Sequence, residues 1–212
     1  VNYMSMLRQF HQVLYELNVG VDFVTPDSDY SRYKVVVVPP LYVASDAQLK
    51  KLAEYARSGG HVVLTFKSGF TDEYDTVRAE MAPGPLREAA GFHYQEFSTL
   101  DKPLALKGDP FRAGAENRVS TWAEMIVPDT AEALAFYDHP FFGKYPALTR
   151  NRFGRGTVTF EGSVLSDGLQ RMVLADVLKR AGLTGPDQEL PAAVRVKHGT
   201  AGGNRFHYYL NY

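Results

Sequence analysis

Ser68, Asp72, Glu73 and Asp75 stand close together, just after the apolar run His61–Phe66. A serine nucleophile needs a base within hydrogen-bond reach and donors for an oxyanion. Lys67-Ser68-Gly69 lacks the G-x-S-x-G elbow that would supply a strained, exposed hydroxyl, so a turn-capping serine is the default reading. The acidic residues could bind a cation or do acid–base work, but the calcium-loop pattern is absent and Tyr74 interrupts them. A solvated loop, with Arg78 near enough to pair locally, is expected. The histidines are His11, His61, His93, His139, His198 and His207, and none forms H-x-H or H-E-x-x-H. His198 and His207 are expected to face each other across a hairpin, as a cross-strand pair before a ligand pair. Gly154-Arg155-Gly156 resembles half a dinucleotide fingerprint but precedes a strand instead of opening a helix, so a hairpin turn is expected. No metal, no cofactor and no catalytic residue is assigned. The remaining candidates are aromatic. Phe141, Phe142 and Tyr145 lie among Pro140, Gly143 and Pro146, and Trp122 is the single tryptophan. Aromatics in such a loop serve either as an interface or as a loop folded onto its own sheet, and Trp122 reads as core or subunit contact before sugar platform.

The composition narrows the partners. The chain has 212 residues, 45% hydrophobic and 22% charged, with a net charge of −1. That is an ordinary globular balance. With no long run of one charge, nucleic acid and anionic membranes are not expected as main partners. No apolar segment is long enough to cross a bilayer. No signal peptide is visible, which favours the cytoplasm, while Val1 in place of Met fits a piece cut from a longer chain. Zero cysteines exclude disulfides, thiolate metal sites and cysteine nucleophiles together.

The elements that must position these residues are clearest from Tyr33 to Gly69. Lys34–Val38 is a β-branched apolar run, which suits a strand buried on both faces, and Pro39-Pro40 stops it. Ser45 occupies an N-cap position, Asp46 the first turn, and Leu49, Leu52, Ala53 and Ala56 repeat at helical spacing up to Gly59-Gly60. His61–Phe66 is the next strand. This βαβ unit points to a mostly parallel sheet with helices on both faces. Around it, the pattern predicts a helix from Met4 to Leu17, a short strand Val21–Val24, a short helix Pro85–Ala90, and extended segments over 92–106 broken near Asp101-Lys102-Pro103. It further predicts strands 119–127 and 131–137, a hairpin 147–152 with 156–161, and a helix capped by Ser166. A linker-like stretch then leads to a final pair, 193–198 and 204–212. A lone hairpin is marginal in water, so it either docks on the body or begins a further β structure.

Many weak signals in one order resemble the middle, trimerisation domain of glycoside hydrolase family 42 β-galactosidases. They include Gly20-Val21-Asp22-Phe23-Val24, Pro40-Leu41-Tyr42, Gly59 to Thr65 with Ser68-Gly69, Pro83-Gly84-Pro85-Leu86, Thr121-Trp122-Ala123-Glu124, Ala135-Phe136-Tyr137, Pro146 to Asn151 and Gly154-Arg155-Gly156. Arg205 to Asn211 resembles the start of that family's C-terminal β domain. The resemblance implies a class I glutamine amidotransferase-like (flavodoxin-like) α/β domain over 1–185, then a linker and truncated β domain over 186–212. It also implies a non-catalytic oligomerisation role, a homotrimer in the full-length parent, and a retaining β-galactosidase parent acting on terminal β-D-galactosides. That family's two catalytic glutamates sit on an N-terminal barrel of about 250 residues, for which this chain has no room. Amidotransferase-like folds place a nucleophilic cysteine near Ser68, so a small hydrolase using Ser68 stands as an alternative, and a sugar-binding module as another.

Overall fold

The computed structural model describes residues 2–212. Helix α1 (Tyr3–Glu16) starts at Asn2, whose side chain accepts from the Ser5 amide, and buries Met6, Phe10, Val13 and Leu14. Strand β1 (Val35–Val38), helix α2 (Asp46–Arg57) and strand β2 (His61–Thr65) form the expected βαβ unit. Ser45 and Gln48 make a reciprocal capping box at the start of α2, satisfying two amides that no helical carbonyl can reach. A 3-10 turn leads into α3 (Arg87–Ala90), closed by Gly91 at φ 72°. Then come β3 (Phe92–His93), β4 (Phe97–Lys107), β5 (Arg118–Glu124), β6 (Val127–Pro128), β7 (Glu132–Tyr137), β8 (Pro146–Phe153), β9 (Gly156–Glu161) and β10 (Ser163–Leu165). Helix α4 (Asp167–Arg180) starts at Ser166, whose hydroxyl accepts from the Leu169 amide. The chain closes with β11 (Val194–Ala201) and β12 (Asn204–Asn211).

The sheet corrects the expected topology. Eight strands run in the order β1-β2-β9-β8-β7-β4-β5-β10. Only the β1–β2 and β2–β9 pairs are parallel; every later pair is antiparallel. The sheet is therefore mixed, mainly antiparallel and curled into a half-barrel, not flavodoxin-like. The reason lies in the connections. A parallel neighbour needs a crossover of a dozen or more residues, which α2 supplies once. Strands β8 and β9 are joined only by Gly154 and Arg155, so they can pair only as a hairpin. The expected strand at Val21–Val24 is also absent. Phe23 is 66% exposed there and β1 is left as the sheet edge.

Three packed clusters hold the sheet. Leu49, Leu52 and Ala56 of α2 meet Val36, Val38, Leu64 and Phe160. Phe10 and Leu14 of α1, with Leu174 and Leu178 of α4, cover Val63 and Phe66 on the opposite side. Val119, Ala123, Tyr137 and Leu148 of the antiparallel part pack with Leu169 and Val173. Each fully buried leucine among them contributes about 2 kcal/mol from area alone. Two glycines bring the β8–β9 turn close to α2, and a Cβ on Gly154 would stand 2.3 Å from the Arg57 carbonyl oxygen. Gly154 also adopts φ 60°, and a Cβ on Gly156 would stand 2.0 Å from the Gly60 carbonyl oxygen and 2.4 Å from that of Ala56. The β8–β9 turn thus fits against the end of α2 only without a side chain there.

Strands β11 and β12 pair with each other alone. They hang from the end of α1 through Asn18, whose side chain accepts from the Val196 amide at 3.0 Å and donates to the Asp187 carbonyl at 2.8 Å.

Candidate functional site

The ends of β1 and β2 lie side by side, and their loops are stitched together. The Gly69 amide donates to the Leu41 carbonyl at 2.8 Å and the Thr71 amide to that of Tyr42 at 3.0 Å. Ser68 is fully buried within this seam, and its hydroxyl oxygen accepts from the Leu41 amide at 3.2 Å. No histidine hydrogen-bonds to it among the described residues. Ser68 thus ties two loops and lacks the base and the exposure that a nucleophile requires.

The residue in the tight left-handed position is Lys67, at φ 59°. That conformation turns its amide towards Glu124, whose Oε1 accepts it at 2.7 Å. Trp122 and Glu124 are two apart on β5 and so share a face, and the Trp122 indole N–H also donates to Glu124 Oε1, at 3.3 Å. Glu124 is wholly buried. Burial pushes its carboxyl up to about 7, against the opposing pull of the Lys67 amide, Tyr94, the Trp122 indole and the Lys67 ammonium. Its Oε2 and the Tyr94 hydroxyl have no well-formed hydrogen bond. A proton on that carboxyl can be shared with Tyr94, which itself sits well above its usual range through burial and the neighbouring Glu124.

Trp122 roofs this carboxyl and opens an aromatic row. The Lys67 ammonium stands 3.9 Å above the indole. Phe97 stacks on Trp122 at 4.5 Å, Phe70 meets Phe97 at 6.2 Å, and Tyr42 stacks on Phe70 at 5.3 Å. Phe97 is 45% exposed, with Tyr42 and Val43 also open to solvent. β5, β4 and the two seam loops thus bring four rings into one surface row. Trp122 belongs to this row. Phe142 and Tyr145 do not: both are half-buried against the antiparallel core, Phe142 stacking on His139 at 3.5 Å. Phe141 alone of that loop stands out, at 84% exposure.

The acidic loop is locally self-satisfied. Asp72 accepts from the amides of Tyr74 and Thr76, both at 2.9 Å. Arg78 does not serve this loop; it pairs with Asp46 and donates to the Ala44 carbonyl. His61 bonds the Thr157 hydroxyl at 2.8 Å, and burial together with Arg150 and Arg180 lowers its pKa. His198 and His207 do face each other, ring centroids 4.6 Å apart, and Asp187 joins them, its carboxylate 2.9 Å from His198 Nε2. A cleft of about 810 Å³ beside α1 and the start of α4, and another of about 500 Å³ between α1 and β1, are lined by other residues than Glu124. Chemically, the Trp122–Glu124 site offers apolar area and a hidden proton, not an open acid–base pair.

Residues 1–184 match the family model of the β-galactosidase trimerisation domain. The chain belongs to that family. The chain is 32% identical over 163 residues to the β-galactosidase BgaB of Geobacillus sp. (strain Y412MC61), an alignment covering 77% of this chain and 24% of that protein. It superposes on the β-galactosidase of Rahnella sp. R3 with a TM-score of 0.90 at 26% identity, covering 100% of this chain and 32% of the other. It superposes likewise on Gan42B, a GH42 β-galactosidase from G. stearothermophilus, with a TM-score of 0.86 at 25% identity, covering 99% and 30%. The chain thus spans a quarter to a third of the length of these relatives. Sequence reading found Trp122 but not Tyr42, Phe70, Phe97 or Lys67. Their proximity depends on strand register, which period-2 patterning at β4 obscures by the shift between Leu100 and Leu104. Among the described residues, no helix is long and apolar enough to cross a membrane.

Proposed function

We propose that this self-associating domain holds three copies of a longer β-galactosidase polypeptide together, its catalytic barrel lying elsewhere on that polypeptide and acting on terminal β-D-galactosides. The observation that carries the reading is the family match over residues 1–184, in a chain that spans only part of its relatives. The row Tyr42–Phe70–Phe97–Trp122, exposed at Tyr42 and Phe97 and half-buried at Phe70 and Trp122, supports it, because aromatic rings are enriched in the buried centres of interfaces. In a closed ring of three, this row meets a different, complementary patch on the next copy, for which the protruding Phe141 is the candidate. Residues 186–212 read as a linker and the start of a further β domain, in keeping with a hairpin that pairs only with itself and a β12 exposed along its whole length.

Light scattering over a range of concentrations tests this. A mass of three chains supports the assembly role. A monomer at the highest concentration refutes it for the chain alone and leaves the contacts to the rest of the polypeptide. A hydrolase reading has no comparable support, since Ser68 is buried and bonded to backbone.

A further inference from the structure

Asp187, His198 and His207 come from two successive elements, a 3-10 turn at Pro186–Glu189 and the β11–β12 hairpin. One ligand-type atom from each lies within 4.8 Å of the other two. Asp187 Oδ2 is 2.9 Å from His198 Nε2, and the two imidazoles meet edge to face at 87°. Both arms are fixed to the same anchor. Asn18 bonds the Asp187 carbonyl and the Val196 amide, and Gln188 of the turn donates to the Leu17 carbonyl at 3.0 Å. The hairpin register is set by a Gly202-Gly203 turn with both φ values positive, which holds His198 and His207 opposite each other. The backbone frame is therefore set, and both histidines stand at the surface.

We propose that Asp187, His198 and His207 form a zinc-binding site that clips the hairpin to the turn before it. Two neutral imidazoles and one carboxylate suit a divalent ion of zinc's class. Tetrahedral zinc with bonds of about 2.1 Å places its donors roughly 3.4 Å apart, so with all three atoms within 4.8 Å of one another no pair has to close by more than about 1.4 Å. Rotation of the exposed His207 ring supplies that movement. The fourth position faces solvent and takes water, as three protein ligands allow. The expectation from spacing alone missed this site because it weighed the two histidines without Asp187, which only the fold brings to them. The site does not depend on the assembly reading.

The test is calorimetric titration of the untagged chain with zinc chloride near pH 7.5, repeated with cobalt chloride to read the visible absorption of the bound ion. The expected result is one ion per chain and a tetrahedral cobalt spectrum. His198→Ala and His207→Ala each weaken binding at least about 10-fold, the loss typical even for outer-shell partners of a metal. His139→Ala leaves it unchanged. No uptake at millimolar zinc overturns the proposal, and so does equal uptake by wild type and both histidine variants. Circular dichroism of each variant confirms that a lost signal is not a lost fold.

Discussion

Replacing Glu124 by Gln tests the reading of the buried carboxyl. Desolvation raises this group from the ordinary 4.5 to about 7, despite the Lys67 amide and the Trp122 indole that favour its charged form. The folded state therefore binds the proton more tightly than the unfolded chain. Stability from this proton is fully present below about pH 4.5 and is lost as pH rises through about 7. At 1.36 kcal/mol for each unit, the loss across that window is on the order of 3 kcal/mol. Gln keeps an oxygen for the Lys67 amide and carries no charge, so its profile lacks this loss. Glu161, pushed up to about 8 by burial beside Gln170, adds a second alkaline loss that both proteins share. The assay is urea unfolding at intervals from pH 5 to 9, read as the difference between wild type and Glu124→Gln. The variant should gain about 3 kcal/mol relative to wild type over that range. Parallel profiles would refute the reasoning and mean that the hydrogen bonds to Glu124 outweigh its desolvation.

Three further outcomes follow from other contacts. Arg150 is nearly buried and pairs with Asp176 at 2.6 Å, so Asp176→Ala should cost about 3 kcal/mol in urea unfolding by stranding the guanidinium, whereas Arg150→Met should cost clearly less. Gly156→Ala should destabilise by about 3 kcal/mol through the collisions with the Gly60 and Ala56 carbonyls, while Gly20→Ala, with open space around it, should stay within about 1 kcal/mol of wild type. Phe97→Ser should lower the mass seen by light scattering from three chains towards one, and an unchanged trimer would move the interface away from the aromatic row.

Local signals in the sequence were legible where they were complete within a few residues. Ser45 with Asp46, Ser166 before α4, and Gly91 after α3 each announce an element boundary by chemistry that needs no distant partner. The same is true of the β1-α2-β2 unit, because a capped helix between two apolar runs permits little else. The step from that unit to a parallel sheet failed for a physical reason. A strand's own residues report whether its faces are buried, not which neighbour it takes or in which direction. Direction is carried by connection length, and the decisive evidence was the two-residue Gly154-Arg155 link, which commits β8 and β9 to an antiparallel pair. Only β9 then joins the parallel strands, alongside β2, and everything beyond it in the sheet order runs by antiparallel pairing. The site follows the same logic. Lys67 and Glu124 are 57 residues apart, and nothing in either neighbourhood hints at the other. Trp122 could be singled out by type, but its partners Phe97 and Lys67 are chosen by the β4–β5 register and by the left-handed turn after β2. A surface row of this kind is thus a property of the sheet order, and it becomes readable only when the antiparallel half of the sheet is placed against the parallel one.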